Sequence, residues 1–431
     1  MKIATLPAGL ALRILTAFGF GFFLSMFCRS SGNLLKGPVQ ADLGLSEATM
    51  GLTFGTAFFI AFGLAQLPIG VLLDRYDPRK VCAGMLLVAA TGTLVFAFSH
   101  TGGHMAAGRA LMGIGFAACM MSALKTYSLW FPVNKLPTIN GIQFSVGILG
   151  SISATKPTQW LLEVTDWRGI NLTMAALALL AAILLLTIAP KHGSKSSGES
   201  LLSQIKGIGK VYGDGYFWRT TPWAFTSIGI SQGIGTLYVI SWLKGAGGLS
   251  LSGATDILFL IAFVSIFNYL LVGYLMEWLG KRGFGPMSIP YTGVFLSMVA
   301  MALIVAFPQL TLLWVFWALS IGWASLTVAS LARAFPVHLA GRVYTGFNQM
   351  SFLMTSIIQV VVGSLLDFYP RVGTDAAPDS YRLAFAAVLG IQVLGGLWTI
   401  AARAMRIGEQ TMIERENTMT EQSGTKQAEH V

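Results

Sequence analysis

Charged residues are scarce in this chain. Asp, Glu, Lys and Arg together make up 11% of its 431 residues, whereas a soluble globular protein carries about 25%. Hydrophobic residues make up 54%. Because so few charges cannot cover a surface with hydrated side chains, much of this surface has to face lipid. The composition predicts an integral membrane protein and excludes a soluble domain.

Cysteine is also scarce, and the residues that build metal or catalytic sites do not cluster. Cys28, Cys82 and Cys119 lie within or at the ends of apolar runs, so they form neither a disulfide framework nor a zinc motif. His100 and His104 are two ligands where a metal site needs more. We find no nucleophile with a nearby base and no glycine-rich phosphate loop. The sequence predicts no metal, no cofactor and no enzyme activity.

Basic residues exceed acidic ones by ten. They form no patch with interleaved aromatic residues, which argues against nucleic acid as a partner. Most of them lie in short segments between apolar runs. Since short cytoplasmic loops are enriched in Lys and Arg, this distribution predicts a bacterial cytoplasmic (inner) membrane protein with both termini in the cytoplasm.

Twelve apolar runs are long enough to cross a bilayer, which takes roughly 20 residues in a helix. We call them spans 1 to 12, and they cover residues 9–35, 47–73, 81–99, 104–126, 138–162, 169–189, 220–243, 251–276, 287–307, 310–331, 343–366 and 380–404. The sequence therefore predicts an all-α membrane protein of twelve transmembrane helices.

The polar segment 190–219 divides the spans into two sets of six. Its Gly, Ser and Lys residues are typical of a cytoplasmic linker, and residues 199–212 favour a short amphipathic helix. We predict an N-terminal six-helix bundle at 1–189 and a C-terminal one at 220–405. The polar composition of 406–431 predicts a disordered cytoplasmic tail.

The two sets of six spans repeat one another. Similar segments recur at the same place in each set: LSEATM at 45–50 and LSGATD at 251–256, GVLLDRYDPRK at 70–80 and GYLMEWLGKRG at 273–283, and FPV at 131–133 and 335–337. Two parallel repeats of six helices are a transporter architecture, in which substrate binds between the halves near the membrane midplane.

These segments resemble the major facilitator superfamily, and the resemblance extends over about residues 9–405. The superfamily's signature in the loop after helix 2 is matched by Gly70, Asp74, Arg75, Arg79 and Lys80, while Asp77 replaces the usual glycine. The resemblance implies two pseudo-symmetric six-helix bundles and secondary transport by alternating access.

The resemblance also implies that charges in the corresponding loops of the two halves act at a gate. The residues concerned are Asp74, Arg75, Arg79, Lys80, Glu277 and Arg282. In this interpretation Arg75 or Arg79 pairs with a carboxylate across the bundle. The alternative is that these charges only set the topology and cap helices.

Three cations lie inside predicted spans: Arg29, Arg109 and Lys156. A charge there costs about 2.5–3.5 kcal/mol on insertion scales and is a functional hypothesis by default. We find no Asp or Glu in the middle of any span, and the nearest, Asp256 and Glu163, lie at outer helix ends. Cations without a counter-ion favour an anionic substrate, because Arg binds carboxylate or phosphate in a bidentate manner and Lys adds a compact charge.

Each cation also has another interpretation. Lys156 could extend its ammonium group to the outer interface, and Arg29 could hydrogen-bond to backbone and to Asn33. Arg109 lies on a position of the superfamily's helix 4 signature, which favours a structural or coupling role. Together with Asp256 and Glu163, it is a candidate for coupling to H⁺ or Na⁺.

Lys156 also departs from one branch of the superfamily. Exporters carry a Gly-Pro signature in helix 5, whereas Lys156 precedes Pro157 here. This difference argues against a drug–proton antiporter.

Polar and aromatic residues complete the predicted binding site. Besides Arg29 and Lys156, it includes Asn33, Gln143, Gln232, Tyr238, Trp242, Trp323 and Asn348. As a set they suit an organic anion, although each could instead bond neighbouring helices or anchor at the membrane interface.

We therefore predict a monomer, surrounded by membrane lipid, that takes up a small organic anion of carboxylate or phosphate type by ion-coupled alternating access. The alternatives are an efflux antiporter of drugs or metabolites, and a transport-inactive sensor that binds a ligand.

Overall fold

The computed structural model describes residues 7–132, 135–191, 201–280, 282–284, 287–336, 339–368, 371–372 and 375–414. All twelve predicted spans are helical. Below, spans 1 to 6 form the N-terminal half and spans 7 to 12 the C-terminal half. The side of the bundle at which span 1 begins is called the terminal side, and the opposite side is called the far side.

The helices of the N-terminal half are Ala8–Ser30 and Gly32–Leu43 in span 1; Glu47–Met50, the π-helical turn Gly51–Thr56 and Ala57–Arg75 in span 2; Pro78–Ala97 in span 3; Gly102–Phe116 and Ala118–Trp130 in span 4; Leu136–Ser153 and Lys156–Val164 in span 5; and Trp167–Thr187 in span 6.

The helices of the C-terminal half are Pro222–Leu237 and Val239–Gly245 in span 7; Leu251–Gly280 in span 8; Ser288–Ala306 in span 9; Leu313–Ala324 and Thr327–Ala332 in span 10; Ala340–Phe368 in span 11; and Pro378–Ala404 in span 12. Between spans 11 and 12, strands β1 (Arg371–Val372) and β2 (Asp375–Ala376) pair antiparallel, a feature that the sequence did not predict.

The linker carries the helices Leu201–Tyr212 and Gly215–Thr220. The first of these agrees with the amphipathic helix predicted at 199–212, of which residues 199–200 lie outside the described part of the chain. The hydroxyl of Tyr212 donates to the carbonyl of Gly346 at 3.0 Å, so the linker packs against span 11.

Within the described residues, nine helical segments are long and apolar enough to cross a membrane. Spans 5, 7 and 10, which are interrupted at 154–155, 238 and 325–326, complete the twelve. An interruption leaves backbone N–H and C=O groups without partners in their own helix, so neighbouring groups have to satisfy them. The interruptions are therefore the polar points of an otherwise apolar bundle.

Each half packs chiefly on itself. Span 3 packs on spans 4 and 6 and span 1 on span 5; in the C-terminal half, span 7 packs on spans 11 and 12 and span 9 on span 10. Among the described residues the two halves meet chiefly between spans 2 and 11, 5 and 8, and 1 and 7, with a smaller contact between spans 2 and 7. The predicted fold of two six-helix bundles is confirmed, whereas the exact domain boundaries stay a prediction.

Spans 3 and 4 approach closely because glycines line their contact. A Cβ atom at Gly92 would lie 2.6 Å from the backbone N of Met112, and one at Gly115 would lie 2.3 Å from the backbone N of Ala89. Apolar side chains have no preference for one another over lipid, so small residues that admit close backbone packing hold membrane helices together.

The Gly92→Ala substitution should therefore lower the melting temperature of the purified protein by several degrees. The added methyl group meets backbone, which cannot rotate away, and overpacking of this kind costs about 1–3 kcal/mol. Gly84→Ala in the same helix is the matched control, because a Cβ atom there meets nothing within 4 Å. Equal melting temperatures for the two variants in detergent would contradict the close packing.

Candidate functional site

Arg29 lies between the two halves at mid-depth. Its guanidinium carbon lies 5.9 Å and 4.6 Å from the ring centres of Phe59 and Phe62 in span 2, and 5.7 Å from that of Phe352 in span 11. Its Nη1 donates to Oε1 of Gln232 in span 7 at 3.4 Å. The guanidinium therefore contacts three spans besides its own, two of them in the opposite half.

The charge of Arg29 has no acidic partner among the described residues, whose ion pairs all involve other cations. Its Nε is buried and has no hydrogen-bond partner. A guanidinium has five N–H donors, and the aromatic rings satisfy only part of its charge. The arrangement can accept an anion with two oxygens in bidentate geometry.

Tyr344 and Asn348 of span 11 lie toward the terminal side of Arg29. Tyr344, near the start of span 11, interacts electrostatically with Arg29 and hydrogen-bonds to Asn348. The side chain of Tyr344 is nevertheless 48% exposed. Gln232 and Asn348 therefore place amide groups on the side of Arg29 that faces the C-terminal half.

Arg109 is satisfied within the N-terminal half. It is buried, its Nε donates to the carbonyl of Phe54 at 2.7 Å, and its Nη1 donates to the carbonyl of Cys28 at 3.4 Å. Phe54 belongs to the π-helical turn Gly51–Thr56, and its ring centre lies 4.3 Å from the guanidinium carbon. Arg109 thus joins span 4 to spans 1 and 2, which supports the structural interpretation of this residue.

The expectation that Lys156 lacks a counter-ion is wrong. Its Nζ lies 2.8 Å from Oδ1 of Asp256 and donates to Oγ of Ser252 at 2.8 Å. The interruption of span 5 at 154–155 brings Lys156 to the far side, where span 5 meets span 8. This pair joins the two halves, whereas Glu163, the other acidic coupling candidate, is exposed.

Asn33 binds the interruption of span 7. Its Nδ2 donates to the carbonyl of Gly235 at 2.5 Å, and its Oδ1 accepts from the backbone N–H of Val239 at 3.0 Å. These are groups that the break at Tyr238 frees from helical bonding. Asn33 was predicted to bind substrate, but its amide is already occupied in joining span 1 to span 7.

Lys36 forms a second contact between the halves. Its ammonium group lies 2.5 Å from Oε2 of Glu47, donates to Oγ of Ser241 at 3.2 Å, and lies 4.4 Å from the ring centre of Tyr238. Lys36 is 3% exposed. These residues were not predicted, because charges at the ends of spans 1 and 2 are common at a membrane surface and the sequence does not show that they face another helix.

Asp367 of span 11 caps the start of span 2. Its Oδ1 and Oδ2 accept from the backbone N–H groups of Glu47 at 2.9 Å and Ala48 at 2.7 Å. A carboxylate is favourable at a helix N-terminus, where free N–H groups and the helix dipole both attract it. Close by, a Cβ atom at Gly363 would lie 2.5 Å from the carbonyl oxygen of Glu47, so spans 2 and 11 are in backbone contact.

The hydrogen bonds that join the halves through Arg29, Asn33, Lys36, Thr56, Asp367 and Lys156 lie at mid-depth or toward the far side. The halves are therefore closed on the far side.

Three of the predicted site residues, Trp242, Gln143 and Trp323, pack within one half, and Tyr238 is buried where the halves meet. Trp242 and Tyr238 have no exposed surface: Trp242 stacks against Phe385 with ring centres 4.3 Å apart, and the Tyr238 hydroxyl donates to the carbonyl of Gln359. Gln143 is fully buried and accepts from the Tyr127 hydroxyl at 2.6 Å, and Trp323 packs against Gly293. Of the predicted set, Gln232 hydrogen-bonds to Arg29, and Asn348 bonds to the neighbouring Tyr344.

The predicted gate charges lie on the terminal side. Asp74 pairs with Lys125 at 3.0 Å, and Arg79 pairs with Asp77 at 2.9 Å and donates to the carbonyl of Leu186 at the end of span 6. In this conformation Arg79 is thus held within the N-terminal half, and the pairing expected across the bundle is not formed by it.

The remaining predicted gate residues are Arg75, Lys80, Arg282 and Glu277. Arg75 has an interaction of its own, Lys80 is exposed, and Arg282 lies 3.6 Å from the ring centre of Trp278. The side chain of Glu277 lies outside the described residues.

The Asn33→Ala substitution should open the far side. It leaves a buried carbonyl and a buried N–H of span 7 unpaired, which costs about 1–3 kcal/mol, and only in the closed arrangement. We expect a cysteine introduced at Ser241, in a variant without the three native cysteines, to react at least about fivefold faster with a membrane-impermeant maleimide. Asn171→Ala is the control, since Asn171 is buried but bonds only within span 6; an unchanged rate in Asn33→Ala would contradict the assignment.

Comparison with known proteins places the chain in a family. Residues 18–359 match the profile described as Major Facilitator Superfamily. The probable L-galactonate transporter of Escherichia coli (strain K12) is 24% identical over 408 residues, which are 88% of this chain and 86% of the relative. The nitrate/nitrite transporter NrtP of Picosynechococcus sp. is 32% identical over 32% of this chain and 26% of its own length. The probable galactarate/D-glucarate transporter GudP of Bacillus subtilis (strain 168) is 25% identical over 42% of each chain.

Solved structures show the same fold. A bacterial homologue of the human lysosomal transporter Spinster, in an inward-facing and occupied conformation, matches with a TM-score of 0.75 and 17% identity over 94% of this chain and 98% of its own. The D-xylose–proton symporter matches with a TM-score of 0.71 and 14% identity over 90% and 97%. Because the sequence match covers most of its length, the chain belongs to the Major Facilitator Superfamily and is a membrane transporter.

Proposed function

We propose that this transporter moves a small organic anion by alternating access and that Arg29 binds the carboxylate or phosphate group of the substrate. The observation that carries the proposal is the guanidinium between the two halves, which has no acidic partner among the described residues. A charge in that position is expensive unless it is paired. A bound anion supplies the missing pair.

The surroundings of Arg29 support an organic rather than an inorganic anion. Phe59, Phe62 and Phe352 exclude water and offer apolar surface to a carbon skeleton. Gln232 contributes an amide that can donate to or accept from hydroxyl groups, as sites for polar ligands require. Exclusion of water also strengthens the attraction between the guanidinium and an anion.

The names of the relatives support the same class. Galactonate, galactarate, glucarate, nitrate and nitrite are all anions. The first of these relatives matches over most of both chains, whereas the other two match over less than half of each. The proposal therefore extends to the anionic class and leaves the individual substrate open.

The far-side contacts are the part that alternating access has to break. Opening that side separates Asn33 from span 7, Asp367 from span 2 and Lys156 from Asp256. The terminal-side pairs Asp74–Lys125 and Asp77–Arg79 would then rearrange so that their charges contact the C-terminal half. The chain would thus exchange one set of polar contacts for another of similar strength.

We further propose that uptake is coupled to H⁺ or Na⁺ and that the chain works as a monomer in the cytoplasmic membrane with both termini inside. The carboxylates between the halves, Glu47 and Asp367, are better placed than exposed Glu163 to exchange a cation as the far side opens, because their environment changes with the conformation. Export of lipophilic cations is disfavoured by the positive charge of Arg29. A ligand sensor without transport would retain the site, and saturable uptake into liposomes would exclude it.

An anion that is a substrate should raise the melting temperature of the purified protein. At 100 times its dissociation constant a ligand adds about 2.7 kcal/mol of stability. We expect at least one of galactonate, glucarate and glycerol 3-phosphate to do so for the unaltered protein and to lose the effect in Arg29→Gln. Arg13→Gln, which removes an exposed arginine from the same span, should keep it. Stabilisation by lipophilic cations alone, or an equal anion effect in Arg29→Gln, would refute the proposal.

Asp74→Asn should slow transport severalfold and leave anion binding unchanged. The substitution removes the pair with Lys125, which is partly exposed and worth up to about 1 kcal/mol, and it acts on the gate rather than the binding site. Initial uptake rates in liposomes and melting shifts with anion measure the two effects separately. Asp42→Asn is the control, because Asp42 pairs with Arg168 on the far side within the same half. Unchanged uptake in Asp74→Asn would remove the gating role.

A further inference from the structure

A groove of about 270 Å³ lies on the outer surface of the C-terminal half, between spans 7, 9 and 12. Its wall includes Trp223, Tyr291, Phe295 and Ile400, and Arg403 lies at its terminal-side end. Phe295 is 50% and Ile400 68% exposed, so in a membrane this surface faces lipid. The groove is separate from the candidate site at Arg29, which lies between the halves.

The shape of the groove suits a hydrocarbon chain. Along span 12 its lining extends from Val393 to Arg403, a distance of about 15 Å at the helical rise of 1.5 Å per residue. Its volume is below the roughly 300–1,000 Å³ of pockets that bind compact organic ligands. Gly396 lies in the floor, where a Cβ atom would be 3.2 Å from Nε1 of Trp223, so the absence of a side chain there creates part of the space.

A buried donor in the wall lacks a partner. The indole Nε1 of Trp223 is buried and makes no hydrogen bond. A buried N–H without an acceptor costs about 1–3 kcal/mol, and tryptophan at a membrane interface ordinarily keeps its polar end bonded. A ligand oxygen just below the membrane surface, such as the ester carbonyl of a glycerolipid, would satisfy it.

Two arginines lie at the terminal-side end of the groove. Arg403 lies 5.6 Å from the ring centre of Tyr291, and both Arg403 and Arg219 interact electrostatically with Tyr291. The Nε of Arg219 is buried without a hydrogen-bond partner. Two carboxylates share this region: Asp214 accepts from the backbone N–H groups of residues 216 and 217, Glu414 accepts from that of residue 411, and both make further interactions. Basic pockets between membrane helices at this depth bind anionic lipid headgroups.

We propose that the groove binds one phospholipid with an anionic headgroup, whose acyl chain lies along span 12 and whose phosphate contacts Arg403 and Arg219. The arginines supply the preference for negative charge, and the apolar groove supplies the preference for a lipid over a free phosphate. The bound lipid would fix span 12 against spans 7 and 9 while the two halves move.

Native mass spectrometry of the delipidated full chain tests this site with phosphatidylglycerol and phosphatidylcholine of the same acyl chains. We expect one tightly bound phosphatidylglycerol per protein and weaker phosphatidylcholine. Arg403→Gln should lower the affinity for phosphatidylglycerol about fivefold and leave that for phosphatidylcholine unchanged. Arg382→Gln is the control, since Arg382 is an exposed arginine at the far-side end of the same span.

Gly396→Val, which fills the groove, should weaken binding of both lipids, and glycerol 3-phosphate without acyl chains should not compete. If Gly396→Val fails to fold, the comparison of Arg403→Gln with Arg382→Gln decides the question alone. Equal binding of the two lipids, retention of the preference in Arg403→Gln, or full competition by glycerol 3-phosphate would overturn the proposal.

Discussion

The guanidinium of Arg29 is the constraint on which the arrangement of the two halves depends. A permanently charged group lies at mid-depth in an apolar bundle, and its neighbours are the rings of Phe62 and Phe352 and one amide, that of Gln232. Two apolar surfaces would pack closely at this position, but burying a charge away from water costs free energy. The polar contacts that hold the halves together lie away from Arg29, toward the far side.

Those polar contacts use the ends and interruptions of helices. Backbone groups that a helix leaves free are among the few strong polar groups in a membrane interior. Asn33 bonds the break in span 7, and Asp367 bonds the start of span 2. In each case a single side chain of one half holds the backbone of the other. When water enters, it can hydrogen-bond to both partners of such a bond. These bonds can therefore break and re-form as the far side opens and closes.

Much of this architecture could be predicted from the sequence, since hydropathy and the internal repeat depend on local composition. The twelve spans, the linker helix and the position of Arg29 inside a span were predicted in this way. The contacts that individual side chains make could not be predicted from the sequence. Asp256 is 100 residues from Lys156, and nothing in the helical period of either span shows that the two meet. Trp242 was assigned to the binding site from its spacing, whereas the break at residue 238 turns it into the core of the C-terminal half.

Arg29 and Arg109 show why partners decide function where residue type does not. Both are arginines inside spans of the N-terminal half, and both lie over phenylalanine rings, so residue type and aromatic surroundings do not distinguish them. Arg109 donates to two carbonyls of its own half, so its charge is already stabilised by dipoles that move with it. Arg29 donates to one amide of the opposite half, and that contact changes whenever the halves move. A cation that loses its internal partner when the halves move is available to an anion from outside. Binding of that anion is then coupled to the motion of the halves.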